Sequence, residues 1–461
     1  MSKMARLLQL PLLSSIVIAM LCGIASAQVQ VTGTFADGAT YLIDVPANWN
    51  HKLLLYSHGY IAPGSANPAY DYPELYAGYF VYTAGYALAG SSYATTGWAV
   101  HEALPDQIAT LDTFQSLFGT PTQTIAWGGS MGGLITAALV QQYPTRFSGA
   151  MPMCGVDAGS VGIWNELLDE GFAFNTLLAG GTLQVVNLNN PWQDYVNAIS
   201  FLNAAQATPQ GQARIALVAA LADVPGWYDP SSPEPSPTDY TAQQLNQYEW
   251  LGNVDIPFGF YYRSELETRS GGNPSFNTGV NYTTQLKHSI NYTEVQALYA
   301  AAGLNLSADL AQLNNAARIA ADPAALTYLA DNIIFDGQIT VPVLSMHTVG
   351  DGLVPVQDEK AYSTVVHEAG DSALSKATFI NRAGHCEFTS AEIITVFQNL
   401  QQRIDSGKWQ NLTSSQLNVE AAGLGAMYNV IDINGTYVPA ASEFLTYNPL
   451  QFLRVYDAFT H

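Results

Sequence analysis

Ser130 lies between two pairs of glycines in the stretch TIAWGGSMGG, and Gly128, Ser130 and Gly132 have the spacing G-x-S-x-G. A sharp turn from a strand into a helix crowds the positions two before and two after the serine, so those positions require glycine. The helix then begins at the serine, and its amino end favours negative charge that develops nearby. The motif predicts that Ser130 is a nucleophile. An ordinary turn rich in Gly and Ser is the alternative.

A serine hydroxyl becomes a good nucleophile only when a neighbouring base takes its proton. Among the eight histidines, we predict that the base is His385, because NRAGHCEF places it in a loop between the last strand pattern and the last helix pattern. His367 lies inside a helical pattern and His461 at the end of the chain. His288 and His347 come too early or too near the end of a strand. A structural hydrogen bond in its loop is the alternative role of His385.

A carboxylate must hold the imidazole in the required tautomer and stabilise the imidazolium. Asp351 follows the apolar run of VPVLSMHTVGDGLVPV directly, between Gly350 and Gly352. This pattern places Asp351 at the carboxyl end of a predicted strand, and it is the predicted acid. Asp beside Gly also suits a simple turn. Asp157 and Asp358 remain the alternative acids.

The carbonyl oxygen of a substrate gains negative charge during attack and needs hydrogen-bond donors. We expect one donor to be the backbone N–H of Met131, directly after the nucleophile. The second is expected from the loop after LLLYSHGY, from Tyr60 with Gly59 as the alternative. His58 in the same loop is interpreted as structural.

Four aromatic residues are candidates for substrate contact. Trp127 precedes the serine turn, Trp98 follows the end of a strand, and Tyr248 and Trp250 belong to the aromatic-rich stretch YEWLGNVDIPFGFYYR. Each of them could instead pack in the core. A mostly apolar pocket with few polar groups suits the acyl or alcohol part of an ester.

Uninterrupted apolar runs and helical patterns follow one another in turn along the chain. This order indicates a mostly parallel sheet with helices on both faces. The predicted buried strands lie in 52–59, 86–93, 123–129, 147–155, 341–350 and 377–384, the predicted helices in 104–119, 131–144 and 390–407, and a hairpin in 28–46.

The alternation stops between residues 157 and 335, which are rich in Ala, Leu, Asn and Gln. We interpret this segment as a mainly helical cap inserted between two core strands. Residues 28–156 and 336–408 would then form the core. Residues 409–461 would form a C-terminal extension that packs on the core.

The composition is that of a folded globular protein, with 48% hydrophobic and only 11% charged residues among 461. A formal net charge of −22 disfavours nucleic acid and anionic membranes as partners, because the field of the protein repels polyanions. Metal-binding spacings of the CxxC or HExxH kind do not occur in the sequence. No cofactor or metal is therefore expected.

The first 27 residues have the pattern of a signal peptide: Lys3 and Arg6, an apolar stretch, and the small residues ASA before Gln28. Cleavage after Ala27 predicts a secreted or periplasmic protein without a stable membrane anchor. Cys154 and Cys386 would then be the two remaining cysteines, enough for one disulfide in an oxidising compartment.

Four motifs in this order, SHGY, GGSMGG, GDGLVP and AGHCEF, resemble the α/β-hydrolase superfamily over residues 29–156 and 336–408. The resemblance implies a mostly parallel sheet with helices on both faces, here with the cap as an insertion. It places the serine, acid and histidine of the superfamily, in its chain order, on Ser130, Asp351 and His385.

The pair His385–Cys386 is similar to feruloyl esterases and tannases, in which the cysteine after the histidine pairs with one directly before the nucleophile. This chain has Gly129 at that position. Cys154 ends a strand that should neighbour the catalytic strand, and it is the candidate replacement partner. A Cys154–Cys386 bridge would fix the position of the base; two buried free thiols are the alternative.

These features predict a serine hydrolase that cleaves carboxylic esters, small or polymeric, through an acyl-enzyme. An exported peptidase with the same triad is the alternative. An aminopeptidase would need carboxylates to hold the substrate ammonium, and Glu170, Glu265 or Glu267 could serve. A non-catalytic binding module is a third reading, and the oligomeric state stays open.

Overall fold

The structure is a computed structural model that describes residues 28–433 and 435–460. The predicted signal peptide and His461 lie outside these residues. Among the described residues, no helix has both the length and the apolar character needed to cross a bilayer.

A nine-stranded sheet forms the centre of the protein, with strand order β1-β2-β4-β3-β5-β6-β7-β8-β11. Strands β3 to β8 run parallel, whereas β1, β2 and β11 pair antiparallel at the two edges. The strands are β1 (Val29–Thr34), β2 (Thr40–Val45), β3 (Lys52–Ser57), β4 (Ala87–Ser91), β5 (Gln123–Gly129), β6 (Gly149–Met153), β7 (Val343–Gly350), β8 (Ser375–Ala383) and β11 (Phe444–Leu445), with a separate hairpin of β9 (Val430–Ile433) and β10 (Thr436–Pro439).

Helices cover both faces of the sheet and build the cap. They are α1 (Leu75–Thr83), α2 (Val100–Phe118), α3 (Met131–Gln142), α4 (Gly159–Leu177), α5 (Pro191–Gln206), α6 (Pro209–Ala220), α7 (Tyr240–Trp250), α8 (Arg263–Ser270), α9 (Tyr282–His288), α10 (Tyr292–Ala301), α11 (Leu306–Asn315), α12 (Pro323–Asp331), α13 (Gln357–Ala369), α14 (Ser390–Ser406) and α15 (Ser414–Gly423). Two π-helical turns, Leu251–Asp255 and Phe258–Tyr262, connect α7 to α8.

The central strands are apolar on both faces because helices cover both sides. Leu53 and Leu55 of β3 face one core cluster, while Leu54 faces the other. All three side chains are fully buried. This is the environment that the uninterrupted apolar runs predicted, and the predicted α/β-hydrolase fold is confirmed.

Helices α4 to α12 lie between β6 and β7 and have a hydrophobic cluster of their own. Helix α4 also joins the core, because Val161 and Trp164 belong to the main cluster of the sheet. The cap therefore rests on the carboxyl ends of the strands, where the predicted chemistry lies.

The segment after α14 extends the sheet rather than only packing on it. Phe444 and Leu445 of β11 pair with β8 at the sheet edge. Further along, the Arg454 guanidinium donates to the Asp169 carboxylate of α4 in the cap. The C-terminal segment thus connects the core with the cap.

Candidate active site

Ser130 stands at a sharp turn between β5 and α3, with φ 60° and ψ −128°. An L-residue rarely adopts this φ, and such strain is typical of functional positions. The neighbouring glycines leave no space for a side chain: a Cβ on Gly132 would lie 2.0 Å from the Ser57 carbonyl oxygen, and one on Gly128 would lie 2.5 Å from the same atom. Close packing of the turn against β3 therefore holds the Ser130 backbone in place.

Asp351 follows β7, and its Oδ2 lies 2.7 Å from Nδ1 of His385. Its other oxygen, Oδ1, accepts the backbone N–H groups of Leu353 and Val354 at 3.0 Å. Burial acts to raise the pKa of Asp351, but the His385 and His347 imidazoles lower it below its ordinary value. Asp351 is therefore a carboxylate that orients the His385 ring through Nδ1, so that Nε2 points away from Asp351.

His347, on β7, continues this polar chain behind Asp351. Its Nε2 lies 3.6 Å from Asp351 Oδ2 and 2.8 Å from the Val354 carbonyl oxygen, and its Nδ1 lies 3.4 Å from Glu359 Oε1. Burial acts to lower the pKa of His347, but Asp351 and Glu359 raise it well above its ordinary value. The sequence prediction treated His347 only as a poor base. Its position four residues before Asp351 on a buried strand was the available signal.

The alternative acids have other environments. Asp358 accepts the Ala158 N–H at 3.0 Å. Both oxygens of Asp157 are buried without a hydrogen-bond partner, and burial together with Glu359 and Asp358 raises its pKa well above the ordinary value. Among the described residues, Asp351 is the carboxylate hydrogen-bonded to His385.

Ser130 and His385 line the same cleft. The imidazole contacts Asp351 through Nδ1 and the Cys386 sulfur through Nε2, at 3.5 Å, rather than the Ser130 hydroxyl. Catalytic hydrogen bonds are often long before substrate binds and shorten in the complex. The structure thus brings the three predicted triad residues to one edge of the sheet.

The predicted disulfide between Cys154 and Cys386 is present, with the two Cα atoms 5.3 Å apart. It packs beside Gly129: a Cβ at this glycine would lie 3.7 Å from the Cys386 sulfur and 3.8 Å from the Cys154 sulfur. Cys154 at the end of β6 therefore brings its sulfur beside the turn from the neighbouring strand. Both sulfurs also lie within 4.8 Å of a His385 nitrogen, but bonded sulfurs are not thiolate ligands for a metal.

The loop after β3 approaches the nucleophile closely. A Cβ on Gly59 would lie 3.2 Å from Ser130 Cβ and 3.7 Å from its hydroxyl oxygen. Gly59 and Tyr60 both line the cleft that contains Ser130. Met131 is the first residue of α3. The candidate oxyanion donors are therefore gathered around Ser130, and both N–H groups of the 59–60 loop stay candidates.

His58 has a structural environment. Its ring stacks on Tyr93 at a centroid distance of 4.0 Å. Its nitrogens lie 2.7 Å from the Gly59 carbonyl oxygen and 3.1 Å from that of Ser92. These contacts hold the 58–60 loop in place.

Two spaces meet at Ser130. The first, which we call the inner cavity, lies under the cap. Its wall is mostly apolar with three carboxyl groups, and it consists of Tyr60, Trp98, Ser130, Val156, Ile163, Trp164, Glu166, Leu167, Glu170, Ala222, Val224, Asp255, Phe258, Gly352, Leu353, Val354 and Pro355.

The second space, which we call the outer cleft, contains His385, Cys386 and Cys154 in its wall. The C-terminal segment contributes Asp432, Gly435 and Tyr437 to its rim. No sequence pattern indicated this role, because β9 and β10 reach the cleft only through the tertiary fold.

The four predicted substrate-contact residues have different positions. Trp98 lines the inner cavity. The other three lie outside both spaces: Trp127 is fully buried against Tyr56, and the hydroxyl of Tyr248 donates to Asn203. Trp127 was predicted from its nearness in sequence to the serine turn, and Tyr248 and Trp250 from their aromatic-rich stretch. Neither feature determines the direction of a side chain.

Trp250, the third predicted contact residue outside both spaces, packs on the far side of the site. Its Nε1–H donates to the Trp227 carbonyl oxygen at 2.9 Å. A Cβ on Gly352 would lie 2.4 Å from the Trp250 ring. Trp250 therefore packs against the loop that carries Asp351.

Comparisons with known proteins agree with this geometry. Residues 89–158, which contain the serine turn, match the model of the prolyl oligopeptidase family (Peptidase_S9). The o-phthalyl amidase of Xanthobacter agilis is 28% identical over 441 residues, covering 88% of this chain and 94% of that protein. The sheet, the serine turn and these matches define a serine hydrolase with the α/β-hydrolase fold.

Solved structures with a similar fold include two enzymes. Feruloyl esterase B from Aspergillus oryzae is 12% identical with a TM-score of 0.41, covering 83% of this chain and 81% of that chain. The acylaminoacyl peptidase of Pyrococcus horikoshii is 10% identical with a TM-score of 0.39, covering 85% of this chain and 44% of that chain.

Proposed function

We propose that the protein is an exported acyl hydrolase that cleaves carboxylic esters through an acyl-enzyme on Ser130. The observation that carries the proposal is the 2.7 Å contact between His385 and Asp351, beside a serine held at positive φ. His385 Nε2 takes the Ser130 proton as the hydroxyl oxygen attacks the carbonyl carbon. His385 then gives that proton to the leaving oxygen as the bond breaks, and water releases the acyl group by the reverse sequence.

The position of His385 determines which part of the substrate enters which space. The general acid must reach the leaving group, and His385 lines the outer cleft but not the inner cavity. The alcohol part therefore lies in the outer cleft and the acyl part in the inner cavity. The apolar inner wall, which includes Trp98 and Trp164, suits an apolar acyl chain.

Amide hydrolysis is the second candidate. It is supported by the 28% identity to an o-phthalyl amidase over most of both chains. The same triad and the same acyl-enzyme serve both bonds, since only the leaving atom differs. An amide needs full protonation of its nitrogen by His385 before the bond breaks, so the orientation of His385 matters more for amides than for esters.

Export is part of the proposal. The predicted signal peptide supports it, and so does the Cys154–Cys386 disulfide, since disulfides persist in oxidising compartments. The cleavage site is testable by amino-terminal sequencing of the protein collected outside the cytoplasm. A chain that begins at Gln28 is the expected result, and a chain retained in the cytoplasm with an intact leader would contradict it.

A panel of p-nitrophenyl esters of increasing acyl length, with p-nitroanilides and an N-phthalyl amide alongside, tests the reaction. Ser130→Ala should reduce kcat by about 10⁴-fold or more, and it should abolish labelling by a fluorophosphonate. Full turnover by Ser130→Ala would refute the nucleophile. The ratio of ester to anilide hydrolysis decides between the two candidate reactions.

A further inference from the structure

Three carboxyl groups face the inner cavity next to the proposed acyl site. Glu166 and Glu170 come from α4, one turn apart, and Asp255 comes from the end of the first π-helical turn. Each side chain is at least nine-tenths buried, with relative exposures of 1%, 3% and 3%. Neither lysine nor arginine is among the described residues that line the cavity.

Two of these carboxyl groups have polar atoms without a partner: both oxygens of Glu166 and Oδ2 of Asp255 are buried without a hydrogen bond. Two other buried acids have cation partners instead: Asp169, on the same helix as Glu166, pairs with Arg454, and Glu392 pairs with Arg382 at 2.7 Å. Unpaired buried carboxyl groups are rare in native proteins and call for an explanation.

Burial determines the state of these groups when the cavity is empty. Burial raises the pKa of Glu170 to about 8. Burial raises the pKa of Asp255 well above its ordinary value, with Glu170 and Asp351 adding to the effect. The pKa of Glu166 is also raised well above its ordinary value, first by burial and then by Asp223 and Asp358, while Arg454 acts to lower it. Glu170 is therefore mainly protonated at neutral pH, and an incoming cation would displace its proton.

The apolar remainder of the wall strengthens this selectivity. A cation in a cavity with few polar groups loses its hydration shell and must find charged partners to replace it. An anion would meet no cationic side chain among the described residues that line the cavity. The wall therefore discriminates by the sign of the charge on the acyl group.

We propose that Glu166, Glu170 and Asp255 form a cation subsite, so that the preferred acyl group ends in a primary ammonium. The inference rests on the proposed function, because it uses the acyl group in the inner cavity. It assigns a substrate class that neither the triad nor the disulfide specifies: aminoacyl or ω-aminoacyl esters and amides, with the ammonium donating to the carboxylates.

The first test compares p-nitrophenyl esters that differ in one group. Glycyl, 3-aminopropanoyl and 6-aminohexanoyl esters are paired with propanoyl, butanoyl and heptanoyl esters, in which a methyl group replaces the ammonium. A hydrogen bond to a charged group corresponds to a factor of about 10 to 100. We expect kcat/KM for at least one cationic ester to exceed that of its partner by this factor, and a pimeloyl monoester to fall below the heptanoyl ester.

Variants connect the preference to the subsite. Glu166→Gln and Glu170→Gln keep the side-chain shape and remove the charge, and each should reduce the ratio of cationic to neutral kcat/KM by about tenfold. Glu368→Gln is the matched control, because Glu368 is exposed on α13 and outside both spaces. The control should keep the wild-type ratio. A ratio unchanged in both cavity variants would overturn the subsite.

A binding measurement separates this inference from the hydrolytic proposal. Calorimetry on the Ser130→Ala protein with n-pentylammonium and with 1-pentanol needs no turnover. We expect n-pentylammonium to bind at least about tenfold tighter and to release a proton, detected as a dependence of the heat on the buffer. Equal binding of the two probes, or tighter binding of 1-pentanol, would overturn the subsite even if esters are hydrolysed.

Discussion

The disulfide that joins Cys154 to Cys386 is expected to contribute both to stability and to catalysis. The two cysteines are 232 residues apart in sequence, and the bridge closes a loop that contains the whole cap. Cys386 is the residue next to His385, and its sulfur contacts His385 Nε2 at 3.5 Å. Removing the bridge therefore gives His385 more freedom to move in the folded protein. It also gives the unfolded chain more conformational entropy.

The magnitude follows from the loop length. In the chain-entropy model, a loop of 232 residues corresponds to a stabilisation of about 5 kcal/mol at 25 °C. For a chain of 461 residues, the unfolding entropy is roughly 1 kcal/mol per kelvin, so the melting temperature should fall by about 5 °C. A displacement of the imidazole by about 1 Å would reduce kcat by up to about a hundredfold.

The double variant Cys154→Ala/Cys386→Ser tests this prediction. Both cysteines have positive φ, 43° and 60°. Ala and Ser keep that backbone cost, so the comparison isolates the bridge. Differential scanning calorimetry gives the melting temperature, and ester hydrolysis gives kcat and KM. The wild-type protein, reduced and alkylated, should behave like the double variant.

We expect a lower melting temperature together with a lower kcat and a KM that changes little. If the melting temperature moves by less than about 1 °C, the denatured chain gains no freedom and the entropy reasoning is wrong. If kcat stays within about twofold, the bridge does not position His385, whatever its effect on stability.

Three further predictions follow from other contacts. His347→Asn removes a buried imidazolium beside Asp351, so the acidic limb of the kcat/KM profile should move up by about one pH unit; an unchanged limb would contradict this role. Gly132→Ala places a Cβ 2.0 Å from a β3 carbonyl oxygen, so it should lower the free energy of unfolding by about 3 kcal/mol, measured by urea denaturation; unchanged stability would show that the turn can relax. Glu170 and Asp358, each with a pKa raised to about 8, hold protons in the folded state that the unfolded chain releases above about pH 4. Stability should therefore fall between about pH 5 and 8 by up to about 1.4 kcal/mol per pH unit for each group; melting temperatures that rise across this range would contradict it.

The fold and the order of the site residues could be read from local patterns. The uninterrupted apolar runs predicted the ends of the buried strands to within about two residues, for example 52–59 against β3 at Lys52–Ser57. This works because a strand covered on both faces must be apolar throughout. The serine turn was equally visible, since glycine is required at position 132, where a Cβ would lie only 2.0 Å from the Ser57 carbonyl oxygen.

Sequence patterns predicted less about the site where the direction of a side chain decides its role. Trp127 and Trp98 are both aromatic and both near the end of a strand, yet Trp127 faces the core and Trp98 faces the inner cavity. Hydrophobic periodicity does not distinguish these outcomes, because both side chains are buried. The acid candidates were similar: Asp157 and Asp351 both follow strands, and the contact with His385 separates them.

The order of apolar runs, the glycines around Ser130 and the loop positions of Asp351 and His385 were properties of the linear chain, since each reflects a local steric or hydrophobic requirement. The meeting of Glu166, Glu170 and Asp255 at one cavity depended on how α4 and the π-helical turn fold over the sheet. So did the contribution of Asp432, Gly435 and Tyr437 to the outer cleft. Such long-range contacts arise from the packing of the cap and the C-terminal segment, and short-range sequence spacing does not predict them.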